Sequence, residues 1–263
     1  MEMGADGIFI DCAGITYDCY GQAFGIHDHG NDTNGDMFLK LHEKIYKLVK
    51  SYGEDKIVVH NACLDGSRWP WADAIMWESC VYTNTSEKPF QTWEELQHGA
   101  AFSEDAAKHG KRVLALSYLN GHPLETRFER AIYAYTFARI HDMLWSDYFS
   151  LLHIDGVNVA LDNKYSQCEE GIKFARDLYS IRLGKPIGQK KTAGSVVYRE
   201  FEHGFAVMNL EKKPESLSLP APRECILIDV LRDRKLQQKS GAVQLELGPE
   251  SAAILVRQSN TER

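Results

Sequence analysis

The chain has 263 residues, with 30 Lys and Arg against 37 Asp and Glu, a formal net charge of −7. That balance argues against a nucleic-acid binder, which needs a basic face to displace counterions. It also removes the attraction that an anionic membrane surface offers to basic segments, and no stretch approaches the roughly 20 apolar residues of a membrane span.

Taken in chain order, the opening MEMGADG carries two acids and no basic segment, so it does not read as a secretory signal and leaves localisation open. It runs straight into a strand-like stretch, Gly7–Asp11, followed by a long polar loop from Cys12 to about Asp36. Phe38, Leu41, Ile45, Leu48 and Val49 recur at three- and four-residue steps and predict an amphipathic helix. Ile57–His60 and Ala74–Glu78 read as the next strands. Thr92–Gly110 reads as a helix with Thr92 as N-cap and Glu95 closing a capping box. Arg112–Tyr118 is a strand, Leu124 to about Met143 a long helix, Asp147–Leu152 a less regular strand, and Glu169–Leu183 a helix stopped by Gly184 and Pro186. Apolar strands alternating with helices imply a parallel sheet covered on both faces, with any chemistry at the C-terminal ends of the strands.

From about Lys190 the pattern changes to short alternating runs: Val196–Phe201, Phe205–Asn209, Leu217–Leu219, Cys225–Leu231, Val243–Leu247 and Ala252–Val256. That spacing predicts a small antiparallel β-sandwich. The expected division is therefore an α/β domain over 1–186 and a β-sandwich domain over 187–263. The six cysteines (Cys12, Cys19, Cys63, Cys80, Cys168 and Cys225) form no C-x-x-C pair and no disulfide framework.

The candidate site lies at the strand ends. Asp11 ends the first strand, His60 and Asn61 the second, Glu78 the third, Tyr118 the fourth with Asn120 just beyond, and Asp147 lies near the fifth. A buried parallel strand has no structural need for a terminal carboxylate, although one alone is ordinary as a helix cap or a solvated loop entry. Asp11 and Glu78 together offer the pair that glycoside hydrolysis uses, one as nucleophile or base and one as proton donor. Aromatic faces stack on sugar rings, and Tyr17, Trp69 and Trp71 are the candidate stackers. Trp77, alternating with Glu78, is expected to pack outward under a helix.

A rival constellation is metal-dependent hydrolysis by His27, His29 and His60, with Asp32 nearby. The loop Gly30–Asp36 resembles a calcium loop but fails the EF-hand spacing. There is no G-x-G-x-x-G, no Walker A and no G-x-S-x-G, so dinucleotide binding, phosphoryl transfer and α/β-hydrolase chemistry lack support, and neither cofactor nor metal is expected.

The motifs in order resemble barrel-type glycoside hydrolases. Gly-Ala-Asp-Gly-Ile-Phe-Ile-Asp11 is similar to one strand end of that group, and Trp71-Ala-Asp-Ala-Ile-Met-Trp-Glu78 to a later one. Arg182–Gly188 with Val197–Asn209 looks like the junction into their C-terminal β-domain, and Pro249–Val256 like its last strand. The resemblance implies Asp11 as nucleophile or base, Glu78 as acid/base, and His60, Asn61, Tyr118 and Asn120 lining a sugar site, with an oligo- or polysaccharide as substrate. A (β/α)8 barrel has eight strands and commonly about 250 residues, whereas about five βα units precede the β-domain here. The expectation is therefore a partial barrel, the C-terminal portion of a longer enzyme, whose open edges favour self-association. A non-catalytic carbohydrate-binding remnant of such an enzyme is the alternative.

Overall fold

The computed structural model describes residues 4–13, 30, 32–61, 69–83, 90–119, 124–148, 173–174, 176–221 and 225–259. Contacts group the chain into two compact units, Met1–Glu78 with Glu94–Leu116, and Ser79–Trp93 with Ser117–Arg263. The expected division at 186/187 falls inside the second of these. A sheet of five strands runs in the order β1 (Gly7–Ile10), β2 (Ile57–Asn61), β3 (Ala74–Glu78), β4 (Arg112–Tyr118) and β5 (Leu144–Tyr148), and the β1–β2, β2–β3 and β3–β4 pairings are parallel. No helix among the described residues is long and apolar enough to cross a membrane.

In the first unit, helix α1 (Asn34–Lys50) starts two residues before the expected loop ends. Thr33 caps it, its hydroxyl accepting from Asp36 N–H while the Asp36 carboxylate accepts from Thr33 N–H. Lys47 and Lys50 suit the negative end of the helix dipole. Helix α2 (Trp93–Lys108) begins directly after Thr92, as the capping pattern predicts. On β2 and β3 the buried Val58, His60, Ile75 and Trp77 alternate with half-buried Val59, Ala74, Met76 and Glu78. This is the period-2 pattern of a strand with two different faces.

Asp73, just before β3, ties the N-terminal ends of the strands to α1. Its carboxylate accepts from Val58 N–H at 2.8 Å and Tyr46 hydroxyl at 3.3 Å, and pairs with Lys50 Nζ at 3.0 Å. Replacing Asp73 by Ala leaves three donors unmatched, and a loss of about 1–3 kcal/mol is expected in urea unfolding. A loss under about 0.5 kcal/mol would show the cluster to be merely a solvated surface arrangement.

The second unit contains helix α3 (Leu124–Ile140) and two antiparallel sheets. The six-stranded sheet has the order β11 (Arg234–Leu236), β10 (Cys225–Asp229), β14 (Ala252–Ser259), β8 (Gly204–Asn209), β7 (Val196–Phe201) and β6 (Lys191–Ala193). The three-stranded sheet has the order β12 (Gln238–Lys239), β13 (Ala242–Leu247) and β9 (Glu215–Pro220). Val196, Phe205, Val207, Leu227, Ala253 and Leu255 from the larger sheet share one core with Leu217, Leu219, Val243, Leu245 and Leu247 from the smaller. Strand β8 is buried at every position because Phe205 and Val207 face that core while Ala206 and Met208 lie on the other side, which α3 covers. Arg199 on β7 donates to the Ile140 carbonyl at 3.0 Å and so caps α3.

β5 begins three residues before the expected strand. Asp142 takes φ 60°, which turns the chain sharply out of α3 and starts the strand at once. Of the helix expected over Glu169–Leu183, residues 173–174 and 176–180 are described and helical, whereas Ile181–Leu183 are described and lie past its end.

Candidate active site

The register of the parallel strands decides which side chains share a face. Ile10 is level with His60, which places Asp11 level with Asn61, and Asn61 is level with Met76. Glu78 lies two residues past Met76 on β3, so it projects to the same side as Met76 and Asn61. All three polar groups therefore sit at the C-terminal ends of β1, β2 and β3, on one face of the first unit.

They meet at one atom. The Asn61 side-chain amide donates one hydrogen to Asp11 Oδ1 at 2.8 Å and the other to Glu78 Oε2 at 2.7 Å. Two acceptors on one trigonal nitrogen at these distances lie about 5 Å apart. Asn61 is buried, Glu78 half-buried and Asp11 exposed. Asp11 Oδ1 also accepts the Cys12 backbone N–H at 2.8 Å, and Ala13 N–H donates to the Asn61 carbonyl at 3.0 Å, which holds the turn after β1 against the end of β2. The Asn61 amide first, and the Cys12 N–H second, hold the Asp11 carboxyl below the ordinary carboxylate value. It is an ionised group at neutral pH.

The residue after each carboxylate is in the left-handed region: Cys12 at φ 51° and Ser79 at φ 63°. Non-glycine residues are rare there, at a cost of about 1–3 kcal/mol each, and such strain clusters at functional sites. Within the second unit the segment after Ser79 is pinned in turn. Gln91 donates from its side chain to the Ser79 carbonyl and from its backbone to the Val81 carbonyl, both at 2.8 Å, and Ser117 Oγ donates to the Cys80 carbonyl.

Several expected site residues are placed elsewhere. His60 precedes Asn61 on the same strand and so faces the other way. Its ring packs against His42 of α1, with centroids 4.6 Å apart, so it does not line the face that carries Asp11 and Asn61. Trp69 and Trp71 immediately precede β3 and therefore sit at its N-terminal end, about 15 Å of strand away from Glu78. Trp69 is buried against Phe102 and His109, and Trp71 meets Tyr46 edge-on under Lys47. Neither offers a stacking face beside the carboxylates. The β2–β3 connection is a parallel crossover, which carries the chain from the C-terminal end of β2 back to the other end of the sheet.

Tyr118 ends β4 in the second unit, buried, its N–H donating to the Tyr82 carbonyl at 3.0 Å. Asp147 lies in β5, its side chain outside the described residues, as are Tyr17, His27, His29 and Asn120. Among the described residues no group of three or more His, Cys, Asp or Glu could hold a metal ion.

No family model and no curated protein matches the chain in sequence. Solved structures that share its fold include three with the following matches. AmyP in complex with maltose matches over 97% of this chain and 64% of its own, at 12% identity and TM-score 0.54. A GH27 β-L-arabinopyranosidase from Geobacillus stearothermophilus matches over 100% and 60%, at 12% identity and TM-score 0.53. A trehalose-6-phosphate hydrolase from Bacillus licheniformis matches over 98% and 66%, at 12% identity and TM-score 0.52. The chain thus spans between 60% and 66% of the length of these three proteins. The fold of this chain is one shared with glycoside hydrolases.

Proposed function

We propose that the chain carries the carboxylate pair of a retaining glycoside hydrolase acting on an O-glycosidic bond of an oligo- or polysaccharide. The observation that carries this reading is the single Asn61 amide held between Asp11 and Glu78, which keeps the two oxygens it bonds about 5 Å apart. Retaining enzymes have carboxyl groups about 5–5.5 Å apart, whereas inverting enzymes need roughly 6.5–9.5 Å to fit a water. Asp11, held ionised, attacks the anomeric carbon while Glu78 gives its proton to the leaving oxygen. Glu78 then takes a proton from water, whose oxygen displaces Asp11 from the sugar.

The five-stranded sheet is read as an arc of a (β/α)8-type barrel, with the three residues on its inner rim. Two features support this: the strand–helix alternation, and the position of the pair at the C-terminal strand ends. The strained residues Cys12 and Ser79, each following one carboxylate, are a third support.

The test is to trap the covalent intermediate. The protein is incubated with a panel of activated 2-deoxy-2-fluoro-glycosides and digested. The expected result is one added glycosyl mass on the peptide containing Asp11, absent from Asp11→Asn. Turnover with inversion of the anomeric centre would overturn the retaining assignment. Sugar binding without turnover, unchanged by Glu78→Gln, would make the chain a carbohydrate-binding protein.

A further inference from the structure

We propose that Asn61 is a positioning residue whose amide sets the spacing and relative orientation of the Asp11 and Glu78 carboxylates, rather than a ligand for the sugar. The kinetic part of this inference rests on the glycosidase reading above; the geometric part does not.

The argument begins with donor counting. A primary amide has two N–H donors. Those of Asn61 are taken by Asp11 Oδ1 and Glu78 Oε2, so neither is left for a sugar hydroxyl. The residue is itself fixed: it is 4% exposed, it ends the strand between the two that carry the acids, and its carbonyl accepts Ala13 N–H at 3.0 Å. Asn is the residue type that suits this place. Two carboxylates about 5 Å apart repel, and a neutral double donor between them offsets that repulsion without adding a charge. A longer amide would spread them, and an aliphatic side chain would leave them with no bridge.

The arrangement also assigns individual oxygens. Asp11 Oδ1 holds two hydrogen bonds, from Asn61 and from Cys12 N–H, which gives the attack on carbon to Oδ2. Glu78 Oε2 accepts from Asn61, so that oxygen is held as an acceptor by the amide. The titratable groups that face Asp11 among the described residues are Glu78, across the amide, and the Cys12 thiol beside it.

The test compares the full chain with Asn61→Leu, which fills the volume without donors, and with Asn61→Asp, which is isosteric but adds a like charge. Asp11 is followed by carboxyl-carbon NMR over a pH titration, and kinetics are run on whichever glycoside the wild type hydrolyses. The Asp11 titration is expected to move to higher pH in Asn61→Leu and further in Asn61→Asp. The acid limb of kcat/KM should move the same way, and kcat should fall about 10²-fold with little change in KM. An Asp11 titration that does not move in either variant overturns the proposal. So does a raised KM with an unmoved acid limb, which is the signature of a lost sugar contact. If the wild type hydrolyses no glycoside, the function proposed above fails, and the NMR titration alone still decides the role of Asn61. If Asn61→Leu does not fold, Asn61→Asp alone decides it.

Discussion

Replacing Asp11 by Ala is expected to lower kcat on any glycoside by on the order of 10⁴-fold, and Glu78→Ala by about 10²–10⁴-fold. The two losses should differ in kind. Without Asp11 no glycosyl-enzyme forms, so the quality of the leaving group does not restore the rate. Without Glu78 the first step fails only where the leaving oxygen needs a proton. An aryl glycoside with an acidic phenol should therefore still glycosylate Asp11, and the intermediate should accumulate because no base activates water. Added azide separates the roles further. In Glu78→Ala it attacks the glycosyl-enzyme and gives a glycosyl azide with retained configuration. In Asp11→Ala it occupies the space of the lost carboxylate and gives the inverted azide. An exchange of these two outcomes would exchange the roles, and rescue of neither variant would remove the pair from the chemistry. The basis for assigning Asp11 as nucleophile is its environment: the Asn61 amide and the Cys12 N–H both favour its charged form.

The acids themselves were legible in the sequence because the strands that precede them are apolar throughout. Asp11 and Glu78 stand out against Ile8–Ile10 and Ala74–Trp77. Asn61 was visible as a polar strand end, but a single sequence does not say which partners an amide will choose. The strand period alone separates His60 from Asn61. Adjacent strand residues face opposite ways, so His60 and Asn61 could not both join Asp11. Trp69 and Trp71 follow β2 in the chain yet lie at the far end of the sheet, since in a parallel sheet a connection begins at one end and finishes at the other. The β6, β11 and β12 strands span only two or three residues, too few for any period to show. The grouping of α3 with the sandwich was hidden for another reason. Its Ala131, Ile132, Ala134, Tyr135, Phe137 and Ala138 are all buried. A helix covered on more than one face shows no amphipathic stripe to say what it packs on.

The second large effect is structural and reaches the site through β3. Gly99 lies in the interior of α2, where exchange for Ala ordinarily gains about 1 kcal/mol of helix propensity. Here a Cβ would fall 1.9 Å from Cη2 of Trp77, 2.2 Å from Cζ3 and 2.4 Å from Cζ2. No carbon pair tolerates such an approach. Trp77 cannot swing away easily, since it is 5% exposed and its backbone lies within the β3–β4 ladder. Gly99→Ala is therefore expected to destabilise the fold by about 1–3 kcal/mol despite the better helix former. The displaced ring sits next to Glu78 in the chain, so activity should fall at temperatures where the protein is still folded. Trp77→Leu supplies the control, because it removes the ring atoms that collide. On its own it should cost about 3–5 kcal/mol through the cavity it opens. In that background Gly99→Ala should become neutral or stabilising, giving a coupling of about 1–3 kcal/mol in the double-mutant cycle. Urea unfolding of the four proteins decides the matter. A Gly99→Ala variant as stable as the wild type would mean that α2 does not press on Trp77, and that the strand carrying Glu78 is held in place by something other than this contact.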